Sequence, residues 1–116
     1  MSMLNEHLKT FSERVNETKQ LRVLLKKWSP EIVIKPEDGT EIFSLDVQES
    51  LIKGIHASEL NREHVIRLEG ETAILEEIFS GKRNPARASI DGLLKIYGSN
   101  KDEVKLDAIS LILWGV

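Results

Sequence analysis

Hydrophobic residues near the start of the chain recur at Leu4, Leu8, Phe11 and Val15, a spacing that makes one stripe of an amphipathic helix. A second apolar set follows at Leu21, Val23, Leu24, Leu25 and Trp28. The polar stretch Asn16–Thr18 between the two sets predicts two helices or one kinked helix. Ser29-Pro30 ends the helical region, because a residue before proline avoids the α conformation. The period then shortens to two. Ile32-Val33-Ile34 is β-branched, and Phe43, Leu45 and Val47 alternate with Ser44 and Asp46. Between them Glu37-Asp38-Gly39-Thr40 reads as a hairpin turn, with Gly39 expected at positive φ. A turn at Gln48-Glu49-Ser50 leads to a third strand over Leu51–His56. Ala57–Arg62 is a polar connection, after which His64, Ile66 and Leu68 alternate against Val65, Arg67 and Glu69. The links are short, so these four strands are expected to form an antiparallel meander.

Helical spacing returns after Gly70, with Ala73, Ile74, Leu75, Ile78 and Phe79 on one side and Glu71, Glu76 and Glu77 on the other. The next twenty or so residues are densely punctuated. Gly81 is a natural left-handed helix terminator. Asn84-Pro85 reads as an N-cap followed by the first helical position. Gly92 closes that short helix, and Leu93–Tyr97 alternates as a fifth strand. Ser99 and Asn100 are candidate caps for a last helix whose first turn carries Asp102 and Glu103, where the helix dipole favours acids. That helix begins amphipathic through Val104, Ala108 and Leu111. It then turns apolar on nearly every side through Ile109, Leu111, Ile112, Leu113 and Trp114, so it is expected to be covered on more than one side.

Composition narrows the function classes more than it names one. The 116 residues suit one domain, 1–116, with a core of its own. Charged residues make up 30% and the net charge is −3, without the basic balance of a general nucleic-acid binder. There is no cysteine, hence no disulfide, thiol nucleophile or thiolate metal site. No apolar run reaches the ~18 residues of a spanning helix, and Met1–Lys19 lacks a signal-peptide core, so a cytoplasmic location is expected.

Candidate chemistry is sparse. His64 falls on an apolar strand face and is either a ligand or base, or simply a packed, half-exposed histidine. Ser80-Gly81-Lys82 faintly resembles the tail of a phosphate loop, but the spacing before it is wrong and it reads as a helix C-cap. Lys82, Arg83 and Arg87 are either contacts for an anionic headgroup or a solvated turn. No nucleophile elbow, metal-ligand pair or clustered carboxylates appear, so no catalytic residue, metal or cofactor is expected.

The segment Phe79-Ser80-Gly81-Lys82-x-Asn84-Pro85-x-x-Ala88-x-x-x-Gly92-Leu93-Leu94-Lys95-Ile96-x-Gly98 resembles the sterol carrier protein-2 domain family, in particular its bacterial single-domain members. Lys27-Trp28 before a strand, the Asp38-Gly39 turn and the apolar last helix extend the resemblance over nearly the whole chain. It departs at Ser99–Glu103, which is strongly polar where many members carry a Met-rich or Gly-containing approach to the last helix. The resemblance implies an α+β sandwich: a five-stranded, mainly antiparallel sheet with helices on one face and an apolar tunnel between them. It further implies a non-catalytic module that binds or carries a fatty acid, acyl-CoA, sterol or other lipid. The tunnel lining expected here is Phe11, Val15, Leu45, Phe79, Ile90, Leu94, Ile96, Leu106, Ile109 and Leu113. The alternative is an interaction module with a collapsed cavity, a homodimer formed through Leu113 and Trp114 of the apolar C-terminal helix.

Overall fold

Two helices, α1 (Leu4–Glu17) and α2 (Lys19–Leu24), open the computed structural model, which describes residues 3–116. They are separate because Thr18 is extended (φ −93°, ψ 107°), while its hydroxyl donates back to the Arg14 carbonyl at 2.6 Å. The expected stripe Leu4, Leu8, Phe11 and Val15 is buried, and Leu21, Leu25 and Trp28 continue it beyond the break.

Five strands follow: β1 (Glu31–Pro36), β2 (Phe43–Gln48), β3 (Leu51–His56), β4 (Val65–Gly70) and, later, β5 (Leu94–Tyr97). Their order across the sheet is β3-β2-β1-β4-β5. The first three make the expected antiparallel hairpins, but β4 does not continue the meander. It lies parallel to β1, with Glu31 level with Val65 and Ile34 with Leu68, so the sheet is mixed. The register explains how so short a link can cross. His56 pairs with Ser44, which pairs with Val33, whereas β4 begins level with Glu31. The chain therefore travels only about 7 Å back along the strands and about 14 Å sideways. Residues 57–64, extended, reach about 27 Å.

That connection is fixed from beneath by one carboxylate. Glu31 is fully buried, and its side chain accepts hydrogen bonds from the Ser44 hydroxyl (2.7 Å), the Leu60 N–H (2.5 Å) and the Arg62 N–H (3.0 Å). The Arg62 guanidinium donates to the carbonyls of Ser29 (2.6 Å), Pro30 (3.2 Å) and Val47 (3.2 Å) and pairs with Asp46 at 2.6 Å. Burial alone would raise the Glu31 pKa. The two backbone N–H groups, the Ser44 hydroxyl and the Arg62 charge outweigh it and hold the carboxyl below the usual range.

Alternation along the strands sorts the two faces. Ile32, Ile34, Phe43, Leu45, Val47, Ile66 and Leu68 join the helices in one apolar core, whereas Glu31, Val33 and Ser44 are buried on the other face, under the 57–64 connection. The β2–β3 turn falls where the sequence reading put it, and its backbone is specific. Gln48 pairs with Leu51, leaving a two-residue loop in which Glu49 (φ 53°) and Ser50 (φ 65°) are both left-handed. Gly39 has no positive φ; its hairpin instead presents Asp38, whose carboxylate accepts from the Thr72 N–H at 2.9 Å and so caps the following helix.

The remaining helices are α3 (Thr72–Phe79), α4 (Pro85–Ile90) and α5 (Asn100–Trp114). Their boundaries match the local punctuation. Gly81 is left-handed (φ 85°), and the Lys82 N–H bonds back to the Glu77 carbonyl at 2.8 Å. Asn84 caps α4 by accepting from the Arg87 N–H at 2.9 Å. Ser99 and Asp102 form a reciprocal capping box at the start of α5. Two expectations are corrected. Ile90 is 78% exposed, because it ends α4 on the side away from Pro85 and Ala88, which are the residues that dock. α5 buries Leu106, Ile109, Ser110 and Leu113 but leaves Val104, Leu111 and Ile112 in solvent, so one side of this apolar helix is uncovered.

Two predictions test these constraints. Glu31→Leu, which strands two backbone donors and Arg62 beneath the connection, should cost about 3 kcal/mol or more in urea unfolding. The folded Glu31 carboxyl takes up protons less readily than the unfolded one. Its stabilisation is therefore complete above about pH 5 and lost as pH falls further; Glu31→Gln should flatten that acid-side decline. Second, an added Cβ at Gly81 would lie 2.5 Å from the Trp114 ring, whereas one at Gly92, equally left-handed at φ 77°, meets nothing within 4 Å. Gly92→Ala should cost about 1 kcal/mol of left-handed strain and Gly81→Ala clearly more, with the excess vanishing in a Trp114→Ala background.

Candidate ligand-binding site

The interface between the sheet and the helical layer contains a small, partly open gap lined by Phe11, Leu68, Ile78, Phe79, Pro85, Leu106, Ser110 and Trp114. Its free volume is about 20 Å³, room for about one water molecule and far short of an acyl chain. Its walls come from four helices and one strand. Phe11 faces inward as part of the α1 stripe, Leu68 by the alternation of β4, and Ile78 and Phe79 from the last turn of α3. Pro85 starts α4, and Leu106 and Ser110 share one stripe of α5.

Aromatic side chains close the gap at one end. The Phe11 and Phe79 rings meet edge to face, with centroids 5.0 Å apart. Trp114 lies 5.8 Å from Phe11 and rests on Gly81, where only a hydrogen atom leaves room for the indole. The Arg14 guanidinium stands 5.5 Å over the outer side of that indole and donates to the Leu113 carbonyl at 2.8 Å. The last turn of α5 is thus pinned to α1 and to the α3–α4 turn. Leu113 is buried in the core, and Trp114 is partly buried against it.

Nine of the ten residues expected to line a tunnel lie in or against this apolar layer. Phe11, Phe79 and Leu106 touch the gap itself. Val15, Leu45, Leu94, Ile109 and Leu113 are buried in the surrounding core, and Ile96 packs partly against it. Ile90 does not join them. Sequence reasoning missed Leu68, Pro85 and Ser110 as lining, and it named Ile78 and Trp114 only as neighbours of the expected cavity. Trp114 had a recognisable partner in Gly81, but their meeting depends on how α5 crosses the α3–α4 turn.

The charged groups lie elsewhere. Asp102 is buried beneath the start of α5, where its Oδ1 accepts from the Trp28 indole N–H at 2.9 Å and contacts His64 Nε2 at 2.9 Å. Burial would raise its pKa, but hydrogen bonds from Trp28, the Ser99 backbone and His64 more than compensate and hold it low. His64 is a half-exposed histidine that steadies the cap of α5 and is not part of the gap lining. Arg83 pairs with Glu77 at 2.8 Å and Arg87 with Asp91 at 3.4 Å, so the basic turn is largely neutralised by its own neighbours. On the far face of the sheet a more open cavity of about 350 Å³ is bordered by Glu31, Glu59, Asn61, Arg62 and Arg67. Its charges are also paired internally, Arg67 with Glu59 and Arg62 with Asp46. Among the described residues no group of three or more His, Asp or Glu is placed to hold a metal ion. No helix among them is long and apolar enough to cross a membrane.

No family model and no curated protein matches the sequence. Solved structures do. The ubiquinone synthesis protein UbiJ-SCP2 superposes with a TM-score of 0.74 at 9% identity, over 96% of this chain and 95% of that one. The sterol carrier protein domain 2 of Helicoverpa armigera gives 0.71 at 16% identity, over 96% and 87%. Part of the stereoselective inverting sec-alkylsulfatase Pisa1 from Pseudomonas sp. gives 0.66 at 16% identity; 91% of this chain aligns there with 15% of the enzyme. With five helices on a five-stranded mixed sheet, in an arrangement shared with these structures, the chain has the fold of a sterol carrier protein-2 domain.

Proposed function

We propose that the chain is a single non-catalytic domain that binds a hydrophobic ligand between its sheet and its helices. The observation that carries this reading is the gap under Trp114. It sits at the interface of the two layers, its walls are apolar apart from the Ser110 hydroxyl, and that hydroxyl is already bonded to the Val116 carbonyl at 2.7 Å. Such a space recognises shape and hydrophobicity, not charge. The neighbours described as sterol carrier proteins make a lipid the natural class of occupant. The ubiquinone synthesis protein adds a prenylated quinone to the compounds worth trying.

A gap of about 20 Å³ holds no lipid as it stands, so uptake requires the layers to part. The last turn of α5 is the segment to move. It is held by one Arg14 hydrogen bond, one cation–π contact, the contacts of Trp114 with Gly81 and Phe11 and the burial of Leu113, whereas the start of α5 is anchored by a capping box and by the Asp102–Trp28 bond. Swinging it outward would open the space onto Val15, Ile109 and Leu113, and onto Leu45, Leu94 and Ile96 of the sheet; with Phe11, Phe79 and Leu106, already at the gap, these are nine of the ten expected lining residues.

Native mass spectrometry of protein purified without delipidation should show a co-purifying mass, and a fluorescent fatty acid should bind saturably and be displaced by it. Trp114→Ala should speed uptake several-fold. Leu106→Trp, which fills the gap, should abolish uptake while circular dichroism stays unchanged. A bare protein that ignores fatty acids, sterols and prenylated quinones alike would overturn the reading.

A further inference from the structure

The polar face of the sheet holds a second concave site, open to solvent and sharing no residue with the gap beneath the helices. Strand alternation puts Glu31 and Val33 of β1 beside Val65 and Arg67 of β4, with Glu31 level with Val65 and Val33 with Arg67. The connection from β3 to β4 borders these residues with Glu59, Asn61 and Arg62, and the space is about 350 Å³, the size of a small-molecule site. Its base is apolar, with Val33 buried and Val65 half-buried. Glu31 and Arg62 also border it, but their polar atoms are engaged in holding the connection. Arg67 and Glu59 are placed differently. They pair with each other, and their side chains stay 33% and 34% exposed. Asn61 borders the same space in a left-handed conformation (φ 59°), and among the described residues no group bonds its side-chain amide.

We propose that this site binds a free α-amino acid with an aliphatic side chain. An ion pair partly in water contributes little to stability, so the Arg67–Glu59 pair can be exchanged for a ligand. The exchange must strand neither charge. A lone carboxylate would take Arg67 and leave Glu59 unpaired, and a lone amine would do the reverse. A zwitterion meets both, its carboxylate on the planar fork of Arg67 and its ammonium on Glu59, each through charge-assisted hydrogen bonds. Glu69, 4.0 Å from Arg67, keeps the guanidinium in place when Glu59 turns to the ligand. The Asn61 amide carries both a donor and acceptors and can bond either end. With its charged ends held by Arg67 and Glu59, the ligand lays its side chain on Val33 and Val65, where an aliphatic group gains and a polar one loses. The charges bordering the site also sum to zero, Arg62 and Arg67 against Glu31 and Glu59, which disfavours a phosphate or a polyamine.

Titration of the isotope-labelled chain with L-leucine, followed by nuclear magnetic resonance, tests it. Saturable shifts are expected at the amides of Glu59, Asn61, Val65 and Arg67 and not at Phe11 or Trp114. Isocaproate and isoamylamine keep the leucine side chain but each lack one charge, and both should bind at least about tenfold more weakly. Glu59→Gln frees Arg67 and should invert that order, weakening leucine about tenfold while strengthening isocaproate. Leu106→Trp, which fills the gap beneath the helices, should leave leucine binding unchanged. No saturable shift, equal affinity for the three compounds, or an unaltered order in Glu59→Gln would overturn the inference. A protein that takes up fluorescent fatty acid but ignores leucine would refute this site alone. One that binds leucine but takes up no lipid would refute the binding gap alone.

Discussion

The arrangement of the sheet depends on Glu31. A strand placed parallel to β1 requires the chain to leave β3, cross the polar face and return near the start of β1, and backbone crossing a sheet face needs partners for its N–H groups. Glu31 supplies them for Leu60 and Arg62. Arg62 in turn fills the carbonyls of Ser29, Pro30 and Val47. A buried carboxylate is costly when alone, but here each charge is met by several hydrogen bonds and an opposite charge, so the pair specifies a path rather than merely tolerating burial. With β4 set beside β1, Ile66 and Leu68 point into the helical layer, and β5 can close the sheet on the far side of β4.

The two faces of the sheet divide the work. One is apolar and covered by helices, and the gap lies there; the other is polar and covered by a connection whose charges satisfy one another. Polar groups are kept off the first face except where they are already bonded, as Ser110 is, or where, like Ser12, a buried hydroxyl has no partner. An apolar space at a layer interface, closed by an aromatic side chain seated on a glycine, suits a ligand that brings no charge to be matched.

α5 is the element on which the proposed uptake of a hydrophobic ligand turns, and its amphipathy is unusual in kind. One side packs on the core through Leu106, Ile109 and Leu113, and the adjoining side offers Val104, Leu111 and Ile112 to solvent. Its first turn is anchored by Ser99, Asp102 and Trp28, and its last turn by weaker contacts. A helix fixed at one end and lightly held at the other can move without the sheet being disturbed.

Local chemistry in the sequence determined most of the elements. Proline before the first strand, Gly81, Asn84-Pro85 and Ser99 with Asp102 are rules written into neighbouring residues, and the helix and strand periods place Leu4, Leu8, Phe11, Val15, Leu45 and Leu94 inward without reference to anything distant. The resemblance carried by Phe79–Gly98 pointed to the fold. What required the tertiary structure was every relation between residues far apart in the chain. The parallel pairing of β4 with β1 follows from stagger and from Glu31, neither of which a short polar link reveals. The left-handed pair Glu49-Ser50 is imposed by the register of two strands on residues that do not prefer it. Ile90 and Ile112 carry the same hydrophobicity as Ile78 and Ile109. Only the direction in which α4 and α5 dock decides which of them faces the core, because burial is a property of neighbours and not of the residue itself.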